Sequence, residues 1–171
     1  VNTSYTNLAP YQEAFPDRNT WKKPVQAFSG EMVFRHQFKN ESLLKLYGAF
    51  SYTNFDLIQD DINFVDGFRF GLNNRNLYFN TSYKNRFGDN WKIETGFSFT
   101  NDYSNIKIID DLVTDNENSM HFKVKLKKQF SHRFKISFGS EYFMTDFNED
   151  YTSNNGLKLK YGFNNNILAS F

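Results

Sequence analysis

The feature that most constrains this chain is an alternation of apolar and polar residues that recurs along most of its length. It is clearest after Trp91, where Trp91, Ile93, Thr95, Phe97, Phe99 and Tyr103 alternate with Lys92, Glu94, Gly96, Ser98, Thr100 and Asp102. Successive side chains of a β-strand point to opposite faces of a sheet, so this period predicts a strand with one apolar and one polar face. No segment sustains the three- and four-residue spacing of an amphipathic helix.

The same two-residue period predicts strands in most of the remaining chain. The segments are Phe28–Phe38, Leu44–Asp56, Leu77–Phe87, Met120–Lys127, Arg133–Met144 and Leu157–Asn164, with Val1–Leu8 as a short first strand. We therefore predict an all-β fold of about eight antiparallel, up-and-down strands.

The predicted connections are of two kinds, and they alternate along the chain. Short turns are expected at Lys39–Ser42, Gly88–Asn90 and Ser131–His132. Longer connections rich in Asp and Asn are expected at Pro10–Lys23, Asp56–Gly67, Asp110–Asn118 and Asn148–Asn155. Bacterial transmembrane barrels have short turns on one side of the membrane and long loops on the other.

Composition narrows the class of protein further. Aromatic residues make up 19% of the 171 residues, yet the mean hydropathy is −0.66. A disordered chain lacks so many aromatic residues, and no apolar run approaches the roughly 18 residues of a transmembrane helix. The net charge of +1 gives no reason to expect a nucleic-acid partner, and the absence of Cys excludes disulfides and thiol chemistry.

Three features favour a membrane barrel over a soluble β-sandwich or lipocalin-like barrel. The apolar faces are rich in aromatic residues, the short and long connections alternate, and the polar faces carry dense charge. We expect Lys123, Lys125 and Lys127 on one strand, and Lys158 and Lys160 on another, to face a polar lumen while the apolar residues face lipid. The expected strands are therefore transmembrane β-barrel strands, with the lipid bilayer as partner.

Several stretches resemble the β-barrel region of TonB-dependent outer-membrane receptors of the Bacteroidetes type. They are Thr6–Tyr11, Phe15–Asn19, Leu43–Gly48, Asn54–Leu57, Arg69–Leu72, Asn76–Asn80 and Gly162–Asn166. The resemblance implies a larger barrel of 22 strands with a plugged lumen, in the bacterial outer membrane. It also implies an N-terminal plug domain, a TonB complex and an unknown small solute as partners.

The whole chain, residues 1–171, is then one segment of such a barrel, and nothing in it matches the plug. Val1–Leu8 shows neither a basic nor an apolar signal region, so we expect no signal peptide. One alternative is a small closed eight-stranded outer-membrane barrel with a structural or adhesion role. Another is a soluble β-protein that binds an apolar ligand.

The sequence contains no motif for catalysis, and we expect no enzyme, no cofactor and no metal site. His36, His121 and His132 are scattered, and no P-loop, dinucleotide fingerprint or nucleophile elbow is present.

Three groups of residues remain as candidates for binding, each with a simpler structural interpretation. The acidic pairs Asp60–Asp61 and Asp110–Asp111, with Asp115 and Glu117, suit a hard cation or solvated loops. The basic strip Lys123, Lys125 and Lys127 suits anionic solutes, or pairing with Glu94, Glu141 and plug carboxylates. Tyr5, Tyr11, Phe15 and Trp21 suit stacking on a sugar or chelate, or an interfacial belt.

Overall fold

The alternating segments form eight β-strands in a computed structural model that describes residues 2–7, 19–61 and 63–171. The strands are β1 (Asn2–Asn7), β2 (Asn19–Gln37), β3 (Leu43–Asp61), β4 (Phe64–Phe87), β5 (Trp91–Ile108), β6 (Asp111–Gln129), β7 (Lys135–Thr152) and β8 (Lys158–Ser170). The predictions that involve Tyr11 and Phe15 lie outside the described residues.

The eight strands make a single antiparallel sheet in which each strand pairs with its neighbours in sequence. The order is β1-β2-β3-β4-β5-β6-β7-β8, so the chain runs up and down without a crossover. The predicted all-β, up-and-down architecture is confirmed. Within the described residues β1 and β8 form the two edges and do not pair with each other, so the sheet is not closed.

The strands are longer than the predicted segments. Strands β2 to β7 contain 18 to 24 residues each. At about 3.3 Å per residue, the 18 residues of β5 extend roughly 60 Å. The strand length of 18 residues is about twice the 9–11 residues that a tilted strand needs to cross the hydrocarbon of a membrane.

Within the described residues, the predicted alternation of short and long connections is wrong, because the extra strand length comes from segments predicted as long loops. Most of the predicted loop Pro10–Lys23 lies outside the described residues. Strands β5 and β6 are joined by the two residues Ile109 and Asp110, and most of Asp56–Gly67 lies in β3 and β4. Ile109 adopts φ +57°, a left-handed conformation that is unusual for a β-branched residue. Most of the Asp and Asn residues in these segments lie on long strands.

The described part of the sheet has no hydrophobic core. None of its large apolar side chains is buried, and Ser42 is its one buried polar side chain. Across the described residues we find no helix with the length and apolar character needed to span a membrane. A sheet without a core requires other material against its apolar surfaces.

Candidate functional site

The two faces of the sheet follow from the pairing register, because residues directly opposite each other on adjacent strands share a face. We call front the face that carries Phe79, Phe99 and Met120, which form one continuous row. The back face carries Ser98 and His121. We call lower the end of the strands with the connections 38–42, 88–90 and 130–134, and upper the opposite end.

The lower front surface is a belt of apolar and aromatic side chains. This aromatic belt consists of Phe28, Met32, Phe34, Leu44, Leu46, Phe50, Tyr52, Leu77, Phe79, Tyr83, Phe87, Trp91, Ile93, Phe97, Phe99, Met120, Phe122, Val124, Leu126, Ile136, Phe138, Tyr142, Met144 and Leu168. It occupies about nine residues of β3, β5 and β7, close to the ~9–11 residues of a membrane-crossing strand. Many of its side chains are substantially exposed, as Phe138 is at 49%.

Ring pairs mark the lower end of the belt. Phe87 stacks on Trp91 with ring centroids 6.3 Å apart across the 88–90 turn, and Phe130 lies 5.6 Å from Phe134 across the next one. Both pairs flank connections that the sequence predicts as short turns. Near the upper end of the belt, Tyr52 and Tyr103 lie on either side of Arg75 in one row, with the Arg75 guanidinium 4.7 Å from the Tyr103 ring centroid.

Polarity reverses above the belt. The upper front surface is polar, and it carries Asn54, Asp56, Asn73, Arg75, Asn101, Asn105, Lys107, Thr114, Asn116, Asn118, Asp146, Asn148 and Asp150. The upper back surface is largely apolar, and it carries Trp21, Phe55, Leu57, Phe70, Leu72, Ile106, Ile108, Val113, Phe147 and Tyr151. Phe55 contacts Trp21 and Phe70 there, with ring centroids 6.4 and 5.6 Å away.

The lower back surface is mostly polar and strongly basic, although it also exposes Val33, Phe143 and Ile167. This basic band consists of Arg35, Lys45, Lys84, Arg86, Lys92, Lys123, Lys125, Lys127 and Lys135. Three carboxylates lie on the same face beside it, Glu31, Glu94 and Glu141. Four further carboxylates, Asp102, Asp115, Glu117 and Glu149, lie higher on the back face, between the basic band and the apolar patch.

The predicted pairing of the lysine strip with glutamates is found for two of its three members. Lys123 Nζ lies 3.2 Å from Glu141 Oε2, and Lys127 Nζ lies 3.1 Å from Glu94 Oε1. Lys125 has no salt bridge within the described residues and lies 5.1 Å from the centroid of the Phe171 ring. The basic band therefore keeps a net positive charge.

The expectation that Lys158 and Lys160 lie on the same face as Lys123 is wrong, because the register places them on the opposite face. Lys123 pairs with Glu141, which pairs with Ala169, whereas Lys160 pairs with Asp150 on the front. Lys160 Nζ lies 3.1 Å from Asp150 Oδ1. Leu159, Tyr161 and Phe163 are consequently on the back face, where they continue the upper apolar patch.

A cleft of about 370 Å³ opens directly above the aromatic belt on the front face. A single row crosses it with three amides, because Asn54 pairs with Asn73 and Asn73 pairs with Asn105. Lys23, Tyr103 and Lys107 also line it. Sequence reasoning missed this row, since the three asparagines are far apart in sequence and only the hairpin register aligns them.

Gly71 lies in the next row of the cleft, where its lack of a side chain leaves space. It pairs with Asp56 on one side and with Lys107 on the other. Asp56 is held by Arg69, whose Nε donates to Asp56 Oδ1 at 2.9 Å and whose Nη2 donates to Oδ2. This hydrogen-bonded guanidinium lowers the pKa of the Asp56 carboxyl. Asp56 therefore remains charged and paired at neutral pH.

The remaining candidate residues do not form one site. His36 is on the front face, 4.5 Å from the Phe38 ring, while His121 is on the back face, stacked on Phe143 at 3.8 Å and 3.3 Å from Glu141. Tyr5 is on the front and Trp21 on the back. No cluster of three or more His, Asp or Glu side chains within the described residues is placed to hold a metal.

The acidic residues predicted as loop clusters lie mainly on strands. Asp111, Asp115 and Glu117 alternate along the back of β6. Asp111 Oδ2 accepts a hydrogen bond from Tyr151 Oη at 2.6 Å, and Asp111 Oδ1 accepts one from the backbone N–H of Asn154 at 2.9 Å. These bonds lower the pKa of Asp111 and tie the β7–β8 turn to β6.

Comparison of the sequence and structure with protein-family models, curated proteins and solved structures finds no match.

Proposed function

We propose that this chain forms part of the wall of a β-barrel in the bacterial outer membrane, in a transporter of the TonB-dependent receptor type that imports a scarce solute. The observation that carries the proposal is the reversal of polarity along each face. Below the reversal, the front is an aromatic belt of membrane-crossing length and the back is charged. Above it, the front is polar, and the back carries first carboxylates and then, higher up, an apolar patch.

A membrane barrel that projects beyond the bilayer explains this reversal. The front face meets lipid over the aromatic belt and water above it, so it must change from apolar to polar at the membrane surface. A soluble sandwich has one apolar face along the whole strand, because the same face packs on the core throughout. The described sheet has neither that pattern nor a core.

The open sheet supports a larger barrel over a closed one of eight strands. Backbone groups at a strand edge cannot be left unpaired in hydrocarbon, and only closure removes both edges. In our proposal further strands pair with β1 and β8. The strand patterns of Arg69–Leu72, Asn76–Asn80 and Gly162–Asn166, which resemble those of TonB-dependent receptors, support the receptor class.

The basic band gives the proposed lumen a defined electrostatic character. The lysines and arginines of the band outnumber the three neighbouring glutamates. One cleft of about 340 Å³ at the lower end is lined by Lys92, Lys127 and Lys135. A cationic wall of this kind attracts anions and repels cations. In the proposed transporter, plug carboxylates and anionic solutes compete for this surface.

The proposal is tested by fractionating the source cells and probing with serum against the exposed turn at Asn154–Gly156. We expect a band in the outer-membrane fraction, much heavier than 20.2 kDa, and uptake of its solute that stops when the proton gradient is collapsed. A band confined to the soluble fraction would overturn the proposal. A heat-modifiable band near 20.2 kDa would instead favour the small closed barrel.

A further inference from the structure

Gly71, which has no side chain, forms the floor of the cleft above the aromatic belt. A Cβ added to Gly71 would lie 3.4 Å from Lys107 Cβ and 3.6 Å from the Phe55 carbonyl oxygen, so a larger side chain fits there by filling the space. Gly71 is buried although its front side is open to the cleft. The cleft is therefore a gap in the side-chain layer of the front face.

The row of asparagines supplies the polar groups of the cleft. Asn105 Nδ2 donates to Thr114 Oγ1 at 2.9 Å, which fixes the amide and leaves its carbonyl oxygen as an acceptor. Asn73 Nδ2 lies 3.4 Å from Tyr52 Oη. Amides offer a donor and an acceptor side by side, and a Tyr ring adds an apolar surface, as at Tyr103. This combination suits the hydroxyl groups and ring of a sugar.

Positive charge surrounds the asparagine row. Lys23 and Lys107 line the cleft, and Arg75 lies one row below. Asp56 is the one acidic side chain among the lining residues, and Arg69 neutralises it through two hydrogen bonds. Neither Lys23 nor Lys107 has a salt bridge within the described residues. An anionic group is the natural complement of this arrangement.

The position of the cleft favours a membrane lipid as the source of such a ligand. Its asparagine row lies one row above Tyr52 and Tyr103, roughly 7 Å away at about 3.3 Å per residue, and the cleft opens on the same face as the aromatic belt. Tyrosines at the edge of an apolar belt mark the headgroup level of a membrane. A ligand in the cleft can therefore keep its acyl chains against the belt below.

We propose that this cleft binds the phosphorylated sugar headgroup of a membrane glycolipid, with Lys23, Lys107 and Arg75 on the phosphate and the three asparagines on the sugar. The inference rests on the proposed function, since only a front face in contact with lipid brings such a headgroup to the cleft. It adds a lipid ligand on the outside of the wall to a solute path on the inside.

The test uses the full-length protein, purified from its own outer membranes in mild detergent and stripped of bound lipid. Native mass spectrometry then counts bound copies of a synthetic acylated glucosamine disaccharide carrying two phosphates. We expect one tightly bound copy, at least about tenfold weaker binding in Lys107→Ala, and similar weakening in Gly71→Val, which fills the floor without removing a charge. Lys160→Ala, on the same face away from the cleft, is the matched control and should bind normally.

Two further arms identify the ligand chemistry. The same lipid without phosphates should bind at least about tenfold more weakly, and excess inorganic phosphate or glucosamine phosphate should not displace the intact lipid. Equal binding by the wild type, Lys107→Ala and Gly71→Val would overturn the inference, as would displacement by free glucosamine phosphate. Heat-modifiable migration of each variant shows that it is folded. The proposed function fails separately, by absence of the protein from the outer-membrane fraction.

Discussion

Asp56 and Arg69 form the best-defined ion pair of the upper front surface. Their side chains are 14% and 26% exposed, and the geometry is bidentate. Because the pKa of Asp56 is lowered in the fold, the pair stabilises the protein above the ordinary carboxyl pKa of about 3.9. That contribution is lost as the pH falls through the lower folded-state pKa.

We predict that Asp56→Asn lowers the free energy of unfolding by about 1–3 kcal/mol at pH 7 and reduces the loss of stability on acidification below about pH 4. Urea midpoints of the detergent-solubilised protein at pH 7 and pH 3 measure both effects. Asp150→Asn is the matched control, because Asp150 and Lys160 form an exposed pair whose loss should cost under about 1 kcal/mol. Equal losses in the two variants would contradict the assigned role of Asp56.

Ile109 offers a second test at the scale of one residue. Its φ of +57° forces a β-branched side chain into the left-handed region, and its N–H donates to the Arg69 carbonyl at 2.7 Å. We predict that Ile109→Gly leaves stability unchanged or raises it by up to about 1 kcal/mol, because glycine adopts this conformation without strain. Ile108→Gly, in the adjacent strand position, should destabilise, and thermal unfolding of both variants in detergent measures the difference.

At the scale of one strand, β5 contains both halves of the polarity reversal. Phe97 and Ser98 are neighbours on opposite faces within the belt, and Asn105 and Ile106 are neighbours on opposite faces above it. We predict that Phe97→Lys destabilises the folded protein by about 2–4 kcal/mol while Ser98→Lys is tolerated, because a lysine in the hydrocarbon loses its hydration.

Above the belt on the same strand, we expect the face that tolerates a lysine to be the opposite one. Ile106→Lys should be harmful there and Asn105→Lys tolerated, since the apolar patch is now on the back. Assembly into the outer membrane, read as heat-modifiable protein per cell, measures all four variants. Equal tolerance of Phe97→Lys and Ser98→Lys would mean that the belt does not face lipid.

The strands show what could be predicted from sequence and what could not. Alternation located every described strand because the two-residue period is a local property of the chain, and it predicted β5 from Trp91 to Tyr103 but not its upper end to Ile108. Lys158 and Lys160 were assigned to the wrong face because a strand's face depends on its register with β7, which is non-local. Asp110–Asn118 was predicted as a loop because a strand rich in polar residues resembles a loop in sequence.

The site was harder to predict from the sequence than the fold, for the same reason. The belt followed from the local pattern of aromatic residues, and pairing of Lys123 and Lys127 with glutamates was anticipated. The cleft was not, because Asn54, Asn73 and Asn105 come together only through two hairpin registers.

At the scale of the whole molecule, the eight strands lack the material that would make them stable in water. The described sheet buries no large apolar side chain and leaves β1 and β8 as edges. We predict that residues 1–171, produced alone in aqueous buffer, aggregate and show no cooperative unfolding transition. Analytical sedimentation with thermal denaturation tests this, and a soluble monomer with a sharp transition would favour a soluble β-protein.

The central claim is that the lower front face is in contact with lipid, and spin labelling along β5 tests it most directly. The chain contains no cysteine, so single cysteines at positions 97, 98 and 105 carry the label in intact outer-membrane vesicles without competition from this segment. We predict that oxygen, which concentrates in lipid, relaxes the label at 97 most strongly, while a water-soluble nickel chelate relaxes the label at 105. The label at 98 should report a polar environment. A label at 97 that is reached by the nickel chelate and not preferentially by oxygen would contradict the account.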